Sequence, residues 1–156
     1  MNIYLNGRYL TQQLTGVQRF AFEITKQLYK HYKNKLIILL PNNVYICRAY
    51  KDIPFNIKKI GITSGHLWEQ IDIPIYLLRK SKPLLINLTN SAPIFYSNKI
   101  STIHDLSVFH TNWYNKYYSL FYKFMISRLI SNSINILTVS QFTKKCILFL
   151  IYFYET

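Results

Sequence analysis

Two adjacent residues that could carry acid–base or hydrogen-bond chemistry, His104 and Asp105, follow a short apolar run that begins at Ile100. Such a run is typical of a buried strand, and in an open α/β sheet the side chains just past the carboxyl end of a strand face the ligand crevice. A histidine beside an aspartate at that point could bind a polar ligand. A half-buried histidine that is simply hydrogen-bonded at a strand end is an equally ordinary structure, so these two residues alone leave both interpretations open.

Polar residues follow other predicted strands in the same way. A strand at 2–5 leads through a polar loop to Thr15 and Gly16, where Val17 opens a helix with apolar residues at spacings of three and four and Arg19 in its first turns. A glycine-containing loop before a helix exposes backbone N–H groups to which an anion can bind, although a single glycine is also typical of an ordinary helix cap. Asn90 follows a predicted strand at 84–88, and Ser140 follows one at 134–139.

The elements that must position these residues alternate along the chain. Further strands are predicted at 35–40, 57–62 and 100–104, and further helices at 66–79, at 113–130 and from 141 onward, with Pro74 expected to kink or shorten the second helix. This order predicts an α/β fold, namely a Rossmann-like, mostly parallel sheet with helices on both faces. Trp68 and Glu69 lie at the start of the helix at 66–79, where a packing aromatic and a first-turn acid are the simplest interpretation.

Composition limits the class of protein without choosing its function. Of 156 residues, 50% are hydrophobic, and the formal net charge is +13, which favours anionic partners such as phosphate groups, acidic lipid surfaces or nucleic acid. The lysines are dispersed, so a purely compositional origin of the charge is equally open. The two cysteines, Cys47 and Cys146, match no metal-binding spacing and fit a reducing cytoplasm, and the first residues do not resemble a signal peptide.

Four separated segments, at 14–21, 66–70, 102–107 and 137–144, resemble the N-terminal half of glycosyltransferase family 4. That family has the GT-B architecture, in which two Rossmann-like domains face each other across a cleft. The resemblance implies the acceptor-side part of a retaining enzyme that moves a sugar from a nucleoside diphosphate sugar to a glycan or lipid-linked acceptor. It implies no metal and no other cofactor, and it does not identify the sugar.

The resemblance also implies roles for individual residues. His104 and Asp105 match the catalytic-site pair: the histidine contacts the transferred sugar, and the aspartate orients the loop. The residues expected to bind donor or acceptor are Thr15, Gly16, Val17, Arg19, Trp68, Glu69, Asn90 and Ser140. The role implied for Trp68 and Glu69 is the least defined, because they match the acceptor-side helix rather than a named contact.

The chain departs from the family pattern at its end. The family's second domain binds the nucleotide sugar, and two such domains need roughly 300 residues. We therefore expect residues 1–145 to form the N-terminal domain and residues 146–156 to be an atypical apolar tail, as a frameshift or early stop would produce, with the chain inactive alone.

Other interpretations remain open: a non-enzymatic basic module that binds an anionic membrane surface or nucleic acid, or a remnant without function. If the family resemblance holds, no nucleic acid is expected as a partner, and the location is cytoplasmic, with contact to the inner membrane face as an option.

Overall fold

In the computed structural model, which describes residues 2–50, 54–110 and 115–154, one sheet contains six strands, and every pairing between them is parallel. The strand order is β3-β2-β1-β4-β5-β6. This confirms the predicted α/β, Rossmann-like sheet. The strands are β1 (Ile3–Asn6), β2 (Leu36–Pro41), β3 (Ile57–Ile60), β4 (Leu85–Asn87), β5 (Lys99–Ile103) and β6 (Asn135–Thr138).

The helices connect these strands. They are α1 (Gly16–Tyr32), α2 (Gly65–Leu67), α3 (Ile73–Leu78), α4 (Ser107–His110), α5 (Lys116–Ser131) and α6 (Gln141–Tyr154). Short 3₁₀ turns lie at Arg8–Thr11, Lys33–Lys35 and Arg48–Tyr50. The short helix α4 was not predicted, and α5 begins at Lys116 rather than at 113. Residues 111–114 lie outside the described part of the chain.

Alternation of side chains along the strands explains why helices cover both faces of the sheet. Leu5 packs in one apolar cluster with residues of α1, whereas its neighbour Tyr4 packs in another cluster with Trp68 and Ile73. Successive strand residues point to opposite faces, so each face needs its own helical layer. Tyr4 and Leu5 of β1 and most residues of β2 are therefore buried although successive residues point to opposite faces.

Reversal of the strand order creates a crevice at one point of the sheet. The chain proceeds outward from β1 through β2 to β3 and then returns, so β4 pairs with the other side of β1. In open α/β sheets ligands bind past the carboxyl ends of the strands at such a switch point. The end of β1 approaches β2 closely, because a methyl group at Gly7 would lie 2.5 Å from Ile38 and 2.7 Å from the Leu39 carbonyl oxygen.

Pro74 neither breaks nor ends the helical segment between β3 and β4. The segment runs from Gly65 to Leu78, and a π-helical stretch, Trp68–Asp72, lies just before the proline. Proline has no N–H to donate to the preceding turn, and a widened turn is one way for a helix to absorb that loss. Both Trp68 and Glu69 are completely buried, the tryptophan in the apolar cluster and the glutamate among polar side chains.

Helix α6 runs through the boundary that we placed at residue 145. Ile147 is 5% exposed and packs with Ile103 and Ile126, whereas Leu148 remains 55% exposed. Part of the apolar tail therefore belongs to the fold, and its outer side is open. None of the helices in the described ranges is both long and apolar enough to cross a membrane.

Candidate functional site

A buried carboxylate organises the crevice at the β1/β4 switch point. Glu69 Oε1 accepts hydrogen bonds from Asn6 Nδ2 at 2.8 Å and from Ser91 Oγ at 2.9 Å. Its Oε2 accepts from Arg8 Nη1 at 2.9 Å and contacts His66 Nδ1 at 3.1 Å. Four groups from three separate parts of the chain thus converge on one side chain. We call Glu69 and these four partners the Glu69 cluster.

The charge of Glu69 is stabilised inside the protein. Burial by itself raises the pKa of the Glu69 carboxyl, but the hydrogen bond from His66, the Arg8 charge and the Asn6 amide outweigh it, so this pKa lies below its ordinary value. The carboxylate is therefore ionised at neutral pH. Its side chain is 0% exposed, whereas those of Arg8 and His66 are 17% and 34% exposed. A ligand in the crevice would meet Arg8 and His66, and Glu69 would act through them.

The ends of β1 and β4 are joined within the same network. Asn6 Nδ2 also donates to Asn87 Oδ1 at 3.2 Å, and Asn87 Nδ2 donates to the Ile100 carbonyl oxygen at 3.3 Å. Both asparagines are almost fully buried. Each side-chain amide can both donate and accept, so the two asparagines supply each other with hydrogen-bond partners where water is excluded.

His104 lies at the end of β5 and is held at several of its atoms. Its backbone N–H donates to Asn90 Oδ1 at 2.7 Å, and its Nε2 lies 3.0 Å from the Leu88 carbonyl oxygen. A carbonyl can only accept, so Nε2 carries a proton, and in the neutral ring Nδ1 is the acceptor nitrogen. The ring packs edge-on against Phe20 of α1 with 5.0 Å between centroids. Leu88 follows Asn87 in the chain, so the His104 site adjoins the Glu69 cluster.

Asp105 and Ser140 act locally in the described structure. Asp105 is exposed, and its Oδ1 accepts from the Ser107 N–H at 2.9 Å, where α4 begins. Ser140 Oγ accepts from the Thr143 N–H at 3.0 Å at the start of α6, and Thr143 Oγ1 donates to the His104 carbonyl oxygen at 3.1 Å. Ser140 thus contributes a helix cap, which in turn positions the residue that holds His104.

The start of α1 reaches the same edge of the sheet. Thr15 precedes the helix, Gly16 is its exposed first residue, and the Arg19 N–H donates to the Thr15 carbonyl oxygen at 2.9 Å. Val17 is half-buried, and the Arg19 side chain is exposed. A methyl group added at Gly16 would meet no atom within 4 Å, so the protein's own packing does not require glycine there. Phe20, one turn on, links this helix to His104.

Trp68 differs from the other predicted site residues, because it belongs to the core. Its side chain is 0% exposed, and its indole N–H donates to the Ile60 carbonyl oxygen at 3.0 Å. A ligand could not contact this buried side chain, so Trp68 is the packing aromatic that was the simplest interpretation of the sequence. Glu69 is equally buried, but among polar groups rather than apolar ones.

Several residues at this edge of the sheet were not predicted from the sequence as site residues. Asn6, Arg8, His66, Asn87 and Ser91 were not named as site residues, although Asn6 begins the polar loop after the first predicted strand and His66 lies in one of the resembling segments. One signal was available: Arg8 and Ser91 each follow a predicted strand within a few residues, on the two strands that flank the switch point. Within the described ranges, no group of three or more His, Cys, Asp or Glu residues could hold a metal ion.

The fold and the site define a Rossmann-like α/β domain with a polar, partly charged crevice where the strand order reverses. Comparison with protein-family models, with curated proteins and with solved structures finds no significant match to this chain.

Proposed function

We propose that this chain is the acceptor-side domain of a retaining glycosyltransferase with GT-B architecture. The observation that carries the proposal is the convergence of the four resembling segments on one edge of the sheet. The α1 segment reaches His104 through Phe20, the helix at 66–70 supplies Glu69 and His66, and the segment after β6 holds the His104 carbonyl oxygen through Thr143. Segments far apart in sequence that meet at the carboxyl edge are what a binding crevice requires.

In the proposed reaction, this domain holds the acceptor and one wall of the cleft. His104 would contact the transferred sugar, with Asn90, Leu88 and Thr143 fixing its position. Arg8, held by Glu69, would add positive charge to the crevice, which favours departure of the nucleoside diphosphate as the sugar is transferred. The nucleoside diphosphate sugar itself would be bound mainly by a second domain, and the acceptor would be a glycan or a lipid-linked glycan.

A direct test joins the chain to a donor-binding domain. The DNA downstream of codon 156 is first read in all three frames for a donor-domain sequence. The joined protein is then assayed by mass spectrometry for transfer from nucleoside diphosphate sugars to glycan and lipid-linked acceptors. Transfer that is lost in His104→Ala and retained in the surface control His31→Gln supports the proposal. If His104→Ala transfers sugar as well as the wild type, His104 is not part of the site. If no donor-domain sequence is found, the two-domain architecture expected from the family resemblance is contradicted.

A second candidate is an association with an anionic membrane surface. The net charge of +13 and exposed aromatic or apolar side chains on α5 and α6 favour it, among them Tyr117, Leu120 and Phe142. Basic residues near an acidic leaflet contribute about 1 kcal/mol each, and aromatic side chains favour the membrane–water interface. This candidate is compatible with a lipid-linked acceptor.

A further inference from the structure

The Glu69 carboxylate has no capacity left for a ligand. Each of its oxygens already takes part in two hydrogen bonds, at distances between 2.8 and 3.1 Å, and a carboxylate offers about four such positions. The π-helical turn places this side chain fully inside the protein. Its effect on a ligand must therefore pass through the two partners that keep some exposure, Arg8 and His66.

Glu69 determines which nitrogen of His66 carries the proton. An ionised carboxylate only accepts hydrogen bonds, so the 3.1 Å contact with Oε2 requires a proton on His66 Nδ1. In the neutral ring Nε2 then presents a lone pair. Two groups that can donate face that atom, the Tyr122 hydroxyl, which also hydrogen-bonds Tyr118, at 3.2 Å and Arg8 Nη2 at 3.5 Å. Burial raises the pKa of the Tyr122 phenol, so this hydroxyl keeps its proton at neutral pH.

One lone pair therefore faces two donors, and neither lies at an optimal distance. The His66 side chain is 34% exposed, so its ring borders the crevice, and a ligand atom at Nε2 would take the place of the Tyr122 hydroxyl or of Arg8 Nη2. A group that takes this place must donate to Nε2 and accept from the Arg8 or Tyr122 donors. A hydroxyl does both. A phosphate dianion cannot donate to Nε2, and an ammonium group cannot accept and would lie against the Arg8 charge.

We propose that His66 Nε2, with Arg8 Nη2 and Tyr122 Oη beside it, is a binding point for a ligand hydroxyl group, as a sugar or other polyol carries. Glu69 is the positioning residue that keeps the ring in the accepting tautomer. The inference rests on the proposed function for its biological meaning, since the hydroxyl would belong to the sugar acceptor. The tautomer and the binding preference follow from geometry alone.

The test is NMR spectroscopy of ¹⁵N-labelled full-length chain at neutral pH, with the His66 ring nitrogens assigned by comparison with His66→Gln. We expect Nδ1 to be protonated and Nε2 to be unprotonated. Tyr122→Phe should keep this tautomer, and Glu69→Gln should lose or mix it, with His31→Gln as the control for a surface histidine. A protonated Nε2 in the wild-type chain overturns the proposal, and this readout stands even if Glu69→Gln fails to fold.

Binding is read from the same ring signals with methyl α-D-mannopyranoside, methyl β-D-glucopyranoside, myo-inositol and inorganic phosphate as probes. At least one hydroxylated probe should shift Nε2. Its Kd, measured from backbone amide signals so that a variant without the ring can be compared, should be raised by up to about tenfold in His66→Phe, as expected for loss of one good hydrogen bond. Phosphate should leave Nε2 unshifted. A shift by phosphate alone, or by none of the probes, overturns the hydroxyl site. If a polyol binds but the joined protein transfers no sugar, the glycosyltransferase proposal is refuted and the hydroxyl-binding point at His66 Nε2 is still supported.

Discussion

Replacing Glu69 by glutamine tests the central feature of the crevice, which is that an ionised carboxylate holds four donors. Glutamine has nearly the same shape, but its amide nitrogen donates where the carboxylate accepted. Two of the four partners would then face a donor instead of an acceptor. Arg8 would also lose its counter-charge while its side chain is only 17% exposed.

The magnitude follows from these losses. Removing one partner of a buried ion pair typically costs about 3–5 kcal/mol, and partial exposure of Arg8 reduces this to about 2–4 kcal/mol. For a domain of this size, a loss of about 3 kcal/mol lowers Tm by about 6–12 °C. Glu23→Gln is the matched control, because Glu23 pairs with Lys26 on the surface of α1 and such pairs contribute less than about 1 kcal/mol.

Urea unfolding followed by circular dichroism measures the effect for the wild-type chain and both variants. The pH dependence adds a second check. The pKa of Glu69 is lowered in the folded state, so its stabilisation is present above the ordinary carboxyl pKa and is lost as the pH falls through the folded pKa. The difference between wild type and Glu69→Gln should therefore shrink below about pH 4. If Glu69→Gln unfolds within about 0.5 kcal/mol of wild type at neutral pH, the carboxylate is not the ionised centre of the cluster.

Four further predictions concern other parts of the molecule. Burial lowers the pKa of Lys99 to about 8, and the Arg128 charge adds to this effect. Between about pH 8 and 10 the unfolded chain therefore binds more protons than the folded one, so the free energy of unfolding should rise by at most about 1.4 kcal/mol per pH unit. Lys99→Met should remove this slope in urea titrations. The 156-residue chain alone should transfer no sugar, since the proposed reaction needs a second domain to complete the site; a mass-spectrometric product that disappears in His104→Ala would contradict this. The full-length chain should self-associate in size-exclusion chromatography, and Leu148→Gln should reduce that association, because Leu148 is 55% exposed. Ile147→Ala should instead destabilise the fold by about 2–4 kcal/mol, and a monomeric full-length chain would refute the expectation for the outer side of the tail. In flotation assays the chain should bind anionic liposomes in preference to neutral ones, and equal recovery on both, or none on either, would exclude an electrostatic surface contact.

Much of the fold could be predicted from local patterns. Continuous apolar runs predicted the buried strands, and the three-and-four spacing after Gly16 predicted α1, because these patterns reflect which side of an element faces the core. The order of strands and helices then predicted a parallel sheet, since parallel neighbours need crossover connections. His104 and Asn90 were also expected at one edge, and they do contact each other.

Tertiary structure alone decided how the crevice is built. Glu69 meets Arg8 across 61 residues of sequence, and no local pattern encodes that meeting. It depends on β4 returning to the side of β1 and on the widened turn before Pro74, which directs both Trp68 and Glu69 inward. A local pattern therefore could not tell which of these two neighbours belongs to the apolar core and which to the polar cluster.

The burial of a charged side chain could not be predicted from the sequence, for the same physical reason. Lysine is rarely buried, so nothing marked Lys99, whose ammonium donates to the Tyr96 and Asn132 carbonyl oxygens at 2.6 and 2.7 Å. Those acceptors lie in a loop and at a helix end that only the packed fold brings together. Residue types and spacing determined the layers of this protein, whereas the partners of its buried polar groups were determined by the three-dimensional path of the chain.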